Sequence, residues 1–249
     1  MNTMYQTGLV SVSFRGLSPE EVIALCKQNG LSRIEWGSDI HVPPTDPENA
    51  ARVAKLQGEA GIVTSSYGTY FRLGVHKTEE LAAYIKTAKL LGTDILRIWG
   101  GEKNFEDLTP EEWDHLVLCG CEAAKAAEAA GVTLCLECHN KTCTNCPEGT
   151  LALLEAVASP ALKMYWQPNQ YHSEEWNLGY AKAIAPHVVH IHVFHWIEKE
   201  KFPLAQGLAV WKKYLSCFDG SQNLLLEFMP DGKPETLPRE VETLGRLIG

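Results

Sequence analysis

Hydrophobic positions along the chain follow two alternating rhythms. Residues 131–140, GVTLCLECHN, show the first: Val132, Leu134 and Leu136 alternate with Thr133, Cys135 and Glu137. That is the period of a pleated strand, here closing on a carboxylate. Comparable strands are predicted at residues 8–14, 33–37, 61–68, 94–101, 162–167, 187–196 and 223–229. The second rhythm is helical and fills the gaps. Residues 18–30 carry Ser18 as N-cap, Glu21 completing a capping box and Gly30 as terminator. Further helices are predicted at 48–61, 78–92, 109–131 (opened by Thr109 and Pro110), 146–160 (stopped at Pro160), 173–186, 203–218 and 234–249. Eight strands alternating with eight helices, with no linker or low-complexity break, predict a single (β/α)8 TIM barrel domain spanning 1–249. A doubly wound sheet would carry a glycine-rich phosphate turn after an early strand, and none is present.

Four of the late strands end on a polar side chain after an apolar run: Glu137, Gln167, His192 and Glu227. A barrel places its chemistry at the C-terminal rim of its strands, so these four are expected to meet there around a divalent metal. A buried carboxylate needs a partner. Glu137 and Glu227 share the alternation that faces a barrel interior. His190 lies on the same face as His192 but two residues deeper, so His192 is the expected ligand and His190 an internal hydrogen-bonding group. The Gln167 amide oxygen can bind a hard cation, a water on it, or substrate.

Composition narrows the partners. With 22 Lys and Arg against 31 Asp and Glu, the net charge of −9 argues against a phosphate-contacting nucleic-acid face. The N-terminus lacks a basic segment followed by an apolar run, and no apolar stretch approaches the roughly 20 residues of a membrane span, so a cytoplasmic chain is expected. Of eight cysteines, Cys26, Cys119, Cys135 and Cys217 read as small core residues. Cys138, Cys143 and Cys146 contain a CxxC but lack a fourth ligand at suitable spacing, so no structural metal is expected there.

The LCLE around Glu137, HIHVFH around His192 and LLLEF around Glu227 resemble the xylose isomerase-like barrels, in particular the sugar phosphate isomerase/epimerase group. The resemblance spans essentially the whole chain. It implies that Glu137, Gln167, His192 and Glu227 hold one divalent ion, with Gln167 standing where the family usually has Asp. The family's HxKD is here His192, Val193, Phe194, His195. Oxygen-rich ligation with one nitrogen suits manganese first, with magnesium, zinc, cobalt or nickel as alternatives. The resemblance further implies an isomerase or epimerase of carbohydrate metabolism, in which Glu137 and Glu227 are the acid/base pair and a metal-stabilised enediolate is the intermediate. Its partner would be a small sugar or polyol, phosphorylated or not. A homo-oligomer is compatible with this reading.

Glu35, Arg97, Trp99, His139 and His195 are expected to contact substrate, with Arg15 a candidate for a phosphate. Trp99 could equally fill the barrel, and the two histidines could serve packing or local hydrogen bonds. Three rivals share the frame. A keto-polyol dehydratase such as one acting on an inosose needs the same metal and proton abstraction. A repair endonuclease needs a multinuclear zinc site and a basic groove. A non-catalytic barrel could serve as a binding subunit. Two carboxylates, an imidazole and an amide neutralise a divalent ion, whereas an Asp in place of Gln167 would leave an excess negative charge. Gln167→Asp is therefore expected to tighten metal binding; equal or weaker affinity in a metal titration would remove Gln167 from the ligand set.

Overall fold

The structure, a computed structural model, describes residues 5–249. Eight parallel strands close into a barrel: β1 (Gln6–Val10), β2 (Arg33–Gly37), β3 (Val63–Arg72), β4 (Ile95–Trp99), β5 (Thr133–Glu137), β6 (Leu162–Trp166), β7 (Val188–Val193) and β10 (Asn223–Leu226). The intervening β8 (Trp196–Ile197) and β9 (Glu200–Lys201) form a small antiparallel ribbon outside the barrel. Helices α1 (Pro19–Gln28), α2 (Pro47–Glu59), α3 (Leu81–Leu91), α4 (Pro110–Ala130), α5 (Pro147–Val157), α6 (Glu174–Ile184), α7 (Leu208–Leu215) and α8 (Leu237–Ile248) alternate with the barrel strands. None of the described helices is long and apolar enough to cross a membrane.

Two apolar layers follow from strand alternation. One face of each strand meets the helices, where Leu134, Leu136, Ile191 and Leu224 join a large buried cluster. The opposite face fills the barrel with Val10, Val12, Cys135, Tyr165 and Leu225. The next inward position after Cys135 is Glu137, after Tyr165 it is Gln167, and after Leu225 it is Glu227. Period 2 thus carries the apolar filling up to a polar floor.

Several boundaries differ from the sequence expectation for identifiable reasons. The first strand stops at Val10, and Ser11–Phe14 form a 3-10 turn. There Ser11 Oγ accepts from the Gly37 amide at 2.9 Å and Ser13 Oγ from the Phe228 amide at 2.9 Å. Side-chain hydroxyls thereby replace a ladder partner. The third strand runs on to Arg72 rather than ending at Gly68. The seventh ends at Val193, and the chain then turns into the ribbon, with Glu198 left-handed at φ 53. Helix α5 stops at Val157 through a left-handed Ala158, ahead of Pro160. The predicted capping box at Ser18–Glu21 is formed, and the predicted N-cap Thr109 forms a second one with Glu112.

Two cysteine expectations need correction. Cys119, on α4, and Cys217, in the turn that follows α7, are only partly buried. Cys146 has a role in folding: its Sγ accepts the Gly149 amide at 3.4 Å and caps α5. Buried Cys143 donates to the Gly149 carbonyl at 3.6 Å.

Close packing of β1 on β2 depends on Gly8. A Cβ there would stand 2.5 Å from the Arg33 carbonyl oxygen and 2.8 Å from Leu225 Cδ2. Gly8→Ala is expected to cost about 1–3 kcal/mol in urea unfolding, as overpacked sites do. A variant as stable as the parent would contradict this packing.

Candidate metal centre and active site

The strand ends converge. Glu137, His192 and Glu227 are buried and present ligand atoms that all lie within 4.8 Å of one another; among the described residues they form one cluster of metal-ligating type. His192 Nδ1 is 3.6 Å from Glu137 Oε1 and 3.4 Å from Glu227 Oε2. Gln167 completes the group. Its Nε2 donates to the Cys138 carbonyl at 3.0 Å, which turns its Oε1 toward His192 Nδ1 at 3.1 Å. An amide held in this way presents oxygen, the atom a hard cation accepts.

Immediately after Glu227 the chain turns through Phe228, whose φ is 53. For a residue with a side chain that conformation costs on the order of 1–3 kcal/mol. The Ser13 hydroxyl holds it in place by accepting the Phe228 amide.

A buried ionic layer surrounds the cluster. Arg97 Nε donates to Glu35 Oε1 at 2.8 Å, and Arg97 Nη1 donates to Glu137. Trp99 Nε1 also donates to Glu137. Burial opposes charge on each of these groups, but the neighbours prevail. Arg97 and His192 hold the Glu35 carboxyl down at about 2. Arg97 and His192 likewise hold Glu137 well below the usual carboxylate range. Glu227 and Glu35 drive His192 well above the usual imidazole range. Glu35, Glu137 and Glu227 exceed Arg97 and a protonated His192 by one charge, and by two once an ion displaces the His192 proton. That excess and the oxygen–nitrogen donor set fit a divalent cation.

Above this floor lies a cavity of about 390 Å³. One wall is aromatic, made of Phe194, Trp196 and Phe228; the other carries His139, Asn140, Asn169 and Gln170. Asn169 Nδ2 donates to Asn140 Oδ1 at 2.6 Å, latching the loops that follow β5 and β6.

The expected substrate contacts separate into three groups. Glu35 has no exposed surface and Arg97 is 3% exposed, so both lie beneath the cavity and bind other protein groups. Trp99 and His139 stack at the mouth with ring centroids 5.2 Å apart, and the Arg72 guanidinium lies 3.8 Å from the Trp99 ring. His195 faces a neighbouring pocket of about 250 Å³ together with His172, Asn177 and Trp211, apart from the triad. Arg15 pairs with Asp39 and donates to the Tyr70 hydroxyl at 2.6 Å. His190 faces the Ser65 carbonyl oxygen at 3.1 Å inside the barrel.

Sequence reasoning passed over Arg72 and the aromatic wall. Arg72 lies beyond the glycine at which the third strand was expected to stop. Phe194, Trp196 and Phe228 fell within strands expected at 187–196 and 223–229, but β7 ends at Val193 and β10 at Leu226, so the strand pattern did not show these rings turning into the cavity.

The chain belongs to the Xylose isomerase-like TIM barrel family, whose model matches residues 23–222, well over half of its length. Among solved structures, it is similar to the probable 3-DHS dehydratase AsbF from Bacillus anthracis, involved in petrobactin synthesis. The TM-score is 0.82 at 16% identity, covering 97% of this chain and 99% of that one. It is also similar to an L-ribulose 3-epimerase (TM-score 0.71, 18% identity, 96% of this chain and 86% of that one). A third likeness is to D-psicose 3-epimerase from Clostridium cellulolyticum H10 (0.72, 13%, 98% and 99%). At such identities the likeness is one of fold. No curated protein matches the sequence.

The depressed Glu35 carboxyl has a consequence for acid stability. Its folded-state value of about 2 lies below the ordinary 4.5, so the stability it contributes is present above 4.5 and is lost as pH falls toward 2. Urea unfolding of the metal-free protein is expected to show stability declining through that window. Glu35→Gln should be less stable at neutral pH and flatter in its pH dependence; an unchanged slope would contradict the assignment.

Proposed function

We propose that this protein is a divalent-metal-dependent sugar or polyol isomerase/epimerase, working by proton abstraction at a carbon next to a carbonyl. One observation carries the reading: two carboxylates, an imidazole nitrogen and an oriented amide oxygen converge on the floor of a cavity with one aromatic and one amide-bearing wall. Such walls suit a ligand with a C–H face and a hydroxyl edge, and the volume is in the range of small-molecule sites.

Glu137, Gln167, His192 and Glu227 would hold the ion. Bound there, a divalent cation, manganese foremost, supplies a Lewis acid for the charge that develops on a carbonyl oxygen. The protein's own groups move the protons. Both carboxylates line the cavity and neighbour His192 Nδ1, but they are not equivalent, because Arg97 and Trp99 both donate to Glu137 Oε2 and neither donates to Glu227. Glu227 is therefore assigned the first proton abstraction, and Glu137 the return of a proton from the other side. Return to the same carbon gives epimerisation, and return to its neighbour gives aldose–ketose isomerisation. The Arg72–Trp99–His139 stack at the mouth is assigned to substrate orientation, and the burial of the floor to exclusion of water.

A second reading, loss of water from a keto-polyol, begins with the same proton abstraction. The nearly full-length superposition on a probable dehydratase supports it. Solvent deuterium exchange followed by NMR tests both. A panel of ketoses in heavy water is expected to exchange at the carbon beside the carbonyl with manganese present. Exchange should cease after chelation and in Glu227→Gln. New ultraviolet absorbance from an unsaturated product would select the dehydratase, and exchange that persists without metal or in Glu227→Gln would reject the shared mechanism.

A further inference from the structure

Glu35 stands on β2, across the barrel from His192 on β7, yet the two side chains meet beneath the proposed metal centre. Glu35 Oε2 is 3.3 Å from His192 Nε2 and accepts the Ser66 hydroxyl at 3.0 Å, while Oε1 accepts Arg97 Nε at 2.8 Å. The carboxylate has no exposed surface, so it cannot touch a molecule in the cavity. We infer that Glu35 is a positioning residue, which fixes His192 as the Nε2–H tautomer so that Nδ1 is the ligating atom, and which holds Arg97 against Glu137. The inference rests on the metal reading above.

An ionised carboxylate only accepts, and a neutral imidazole carries one N–H. When an ion displaces one imidazole proton, the one that remains belongs at Nε2 beside Glu35, and Nδ1 faces the space bounded by Gln167 Oε1 at 3.1 Å, Glu227 Oε2 at 3.4 Å and Glu137 Oε1 at 3.6 Å. Turning the ring over would set carbon atoms against both groups of oxygens. Edge packing of the Tyr165 ring, with centroids 5.0 Å apart, fills the remaining side of the imidazole.

The second arm acts through Arg97. Its Nε is bound by Glu35, which leaves Nη1 to hold Glu137. One carboxylate thereby orients two of the four groups that would meet the ion. Space for this arrangement is kept by Gly68 on β3, where a Cβ would stand 2.7 Å from Glu35 Oε1 and 2.9 Å from Arg97 Nη2. A carboxylate or carbonyl behind a ligating histidine typically alters metal affinity about 10–100-fold when removed.

Two measurements test the inference without relying on turnover. In the wild-type protein carrying nitrogen-15 histidine and loaded with cadmium-113, NMR is expected to show one-bond metal coupling at His192 Nδ1 and a proton retained on Nε2. In Glu35→Gln, cadmium and manganese titrations are expected to show affinity lowered about 10–100-fold; Gly68→Ala, which crowds the same pair, should shift it in the same direction. Coupling at Nε2, or a folded Glu35→Gln with affinity within about twofold of wild type, would overturn the role of Glu35 while leaving the metal centre standing. Failure of the wild-type protein to take up cadmium or manganese would overturn the metal reading and this inference with it. Should Glu35→Gln not fold, the wild-type spectrum alone decides.

Discussion

Three carboxylates buried at the mouth of a barrel against one guanidinium would repel one another at a cost of several kcal/mol unless something met their charge. Arg97 answers part of that demand by bridging Glu35 and Glu137. The rest falls on the His192 proton, or on a cation that replaces it between Glu137, His192 and Glu227. Much of the upper barrel follows from this constraint: a glycine at position 68 to make room for the ion pair, a strained Phe228 behind Glu227, and an amide turned oxygen-inward at Gln167. The apolar filling of Val10, Val12, Cys135, Tyr165 and Leu225 closes the interior below. Because it admits little water, the charges above it act on one another at close range and low screening.

Strand periodicity links this electrostatics to the fold. Every inward position lies two residues from the next, so a strand that buries Cys135 or Leu225 must aim Glu137 or Glu227 into the same interior. The chemistry therefore needs no special local structure at the strands themselves. It needs loops that leave the rim without breaking ligand geometry. Here those loops are held by short-range devices: Ser11 and Ser13 hydroxyls on backbone amides, and the Asn140–Asn169 pair across two βα connections.

Much of this was legible in the chain. Alternation at 131–140 and 223–229, together with helix caps at Ser18 and Thr109, predicted the barrel and placed Glu137, Gln167, His192 and Glu227 at one end of it. Those four positions come together in the structure because residue parity is a local property that survives folding. Other features depended on distance across the barrel, which parity does not encode. Glu35 and Arg97 read equally well as rim contacts, since nothing local states that the second and fourth strands turn their ends beneath the floor toward each other. His195 follows the seventh strand, but the ribbon Trp196–Lys201 carries it into a separate pocket. The aromatic wall was likewise missed, because Phe194, Trp196 and Phe228 lie past the points where β7 and β10 end, and there tertiary packing rather than strand parity aims the side chains.

The proposed divalent cation is the complement of the buried excess of negative charge. Its most direct test is the stoichiometry and linkage of manganese binding to the metal-stripped protein, read together by electron paramagnetic resonance and by thermal unfolding. One tightly held ion per chain is expected, with a melting temperature that climbs with manganese concentration, as it must for a ligand that binds the folded state. No bound ion at saturating manganese, with an unmoved melting temperature, would contradict it.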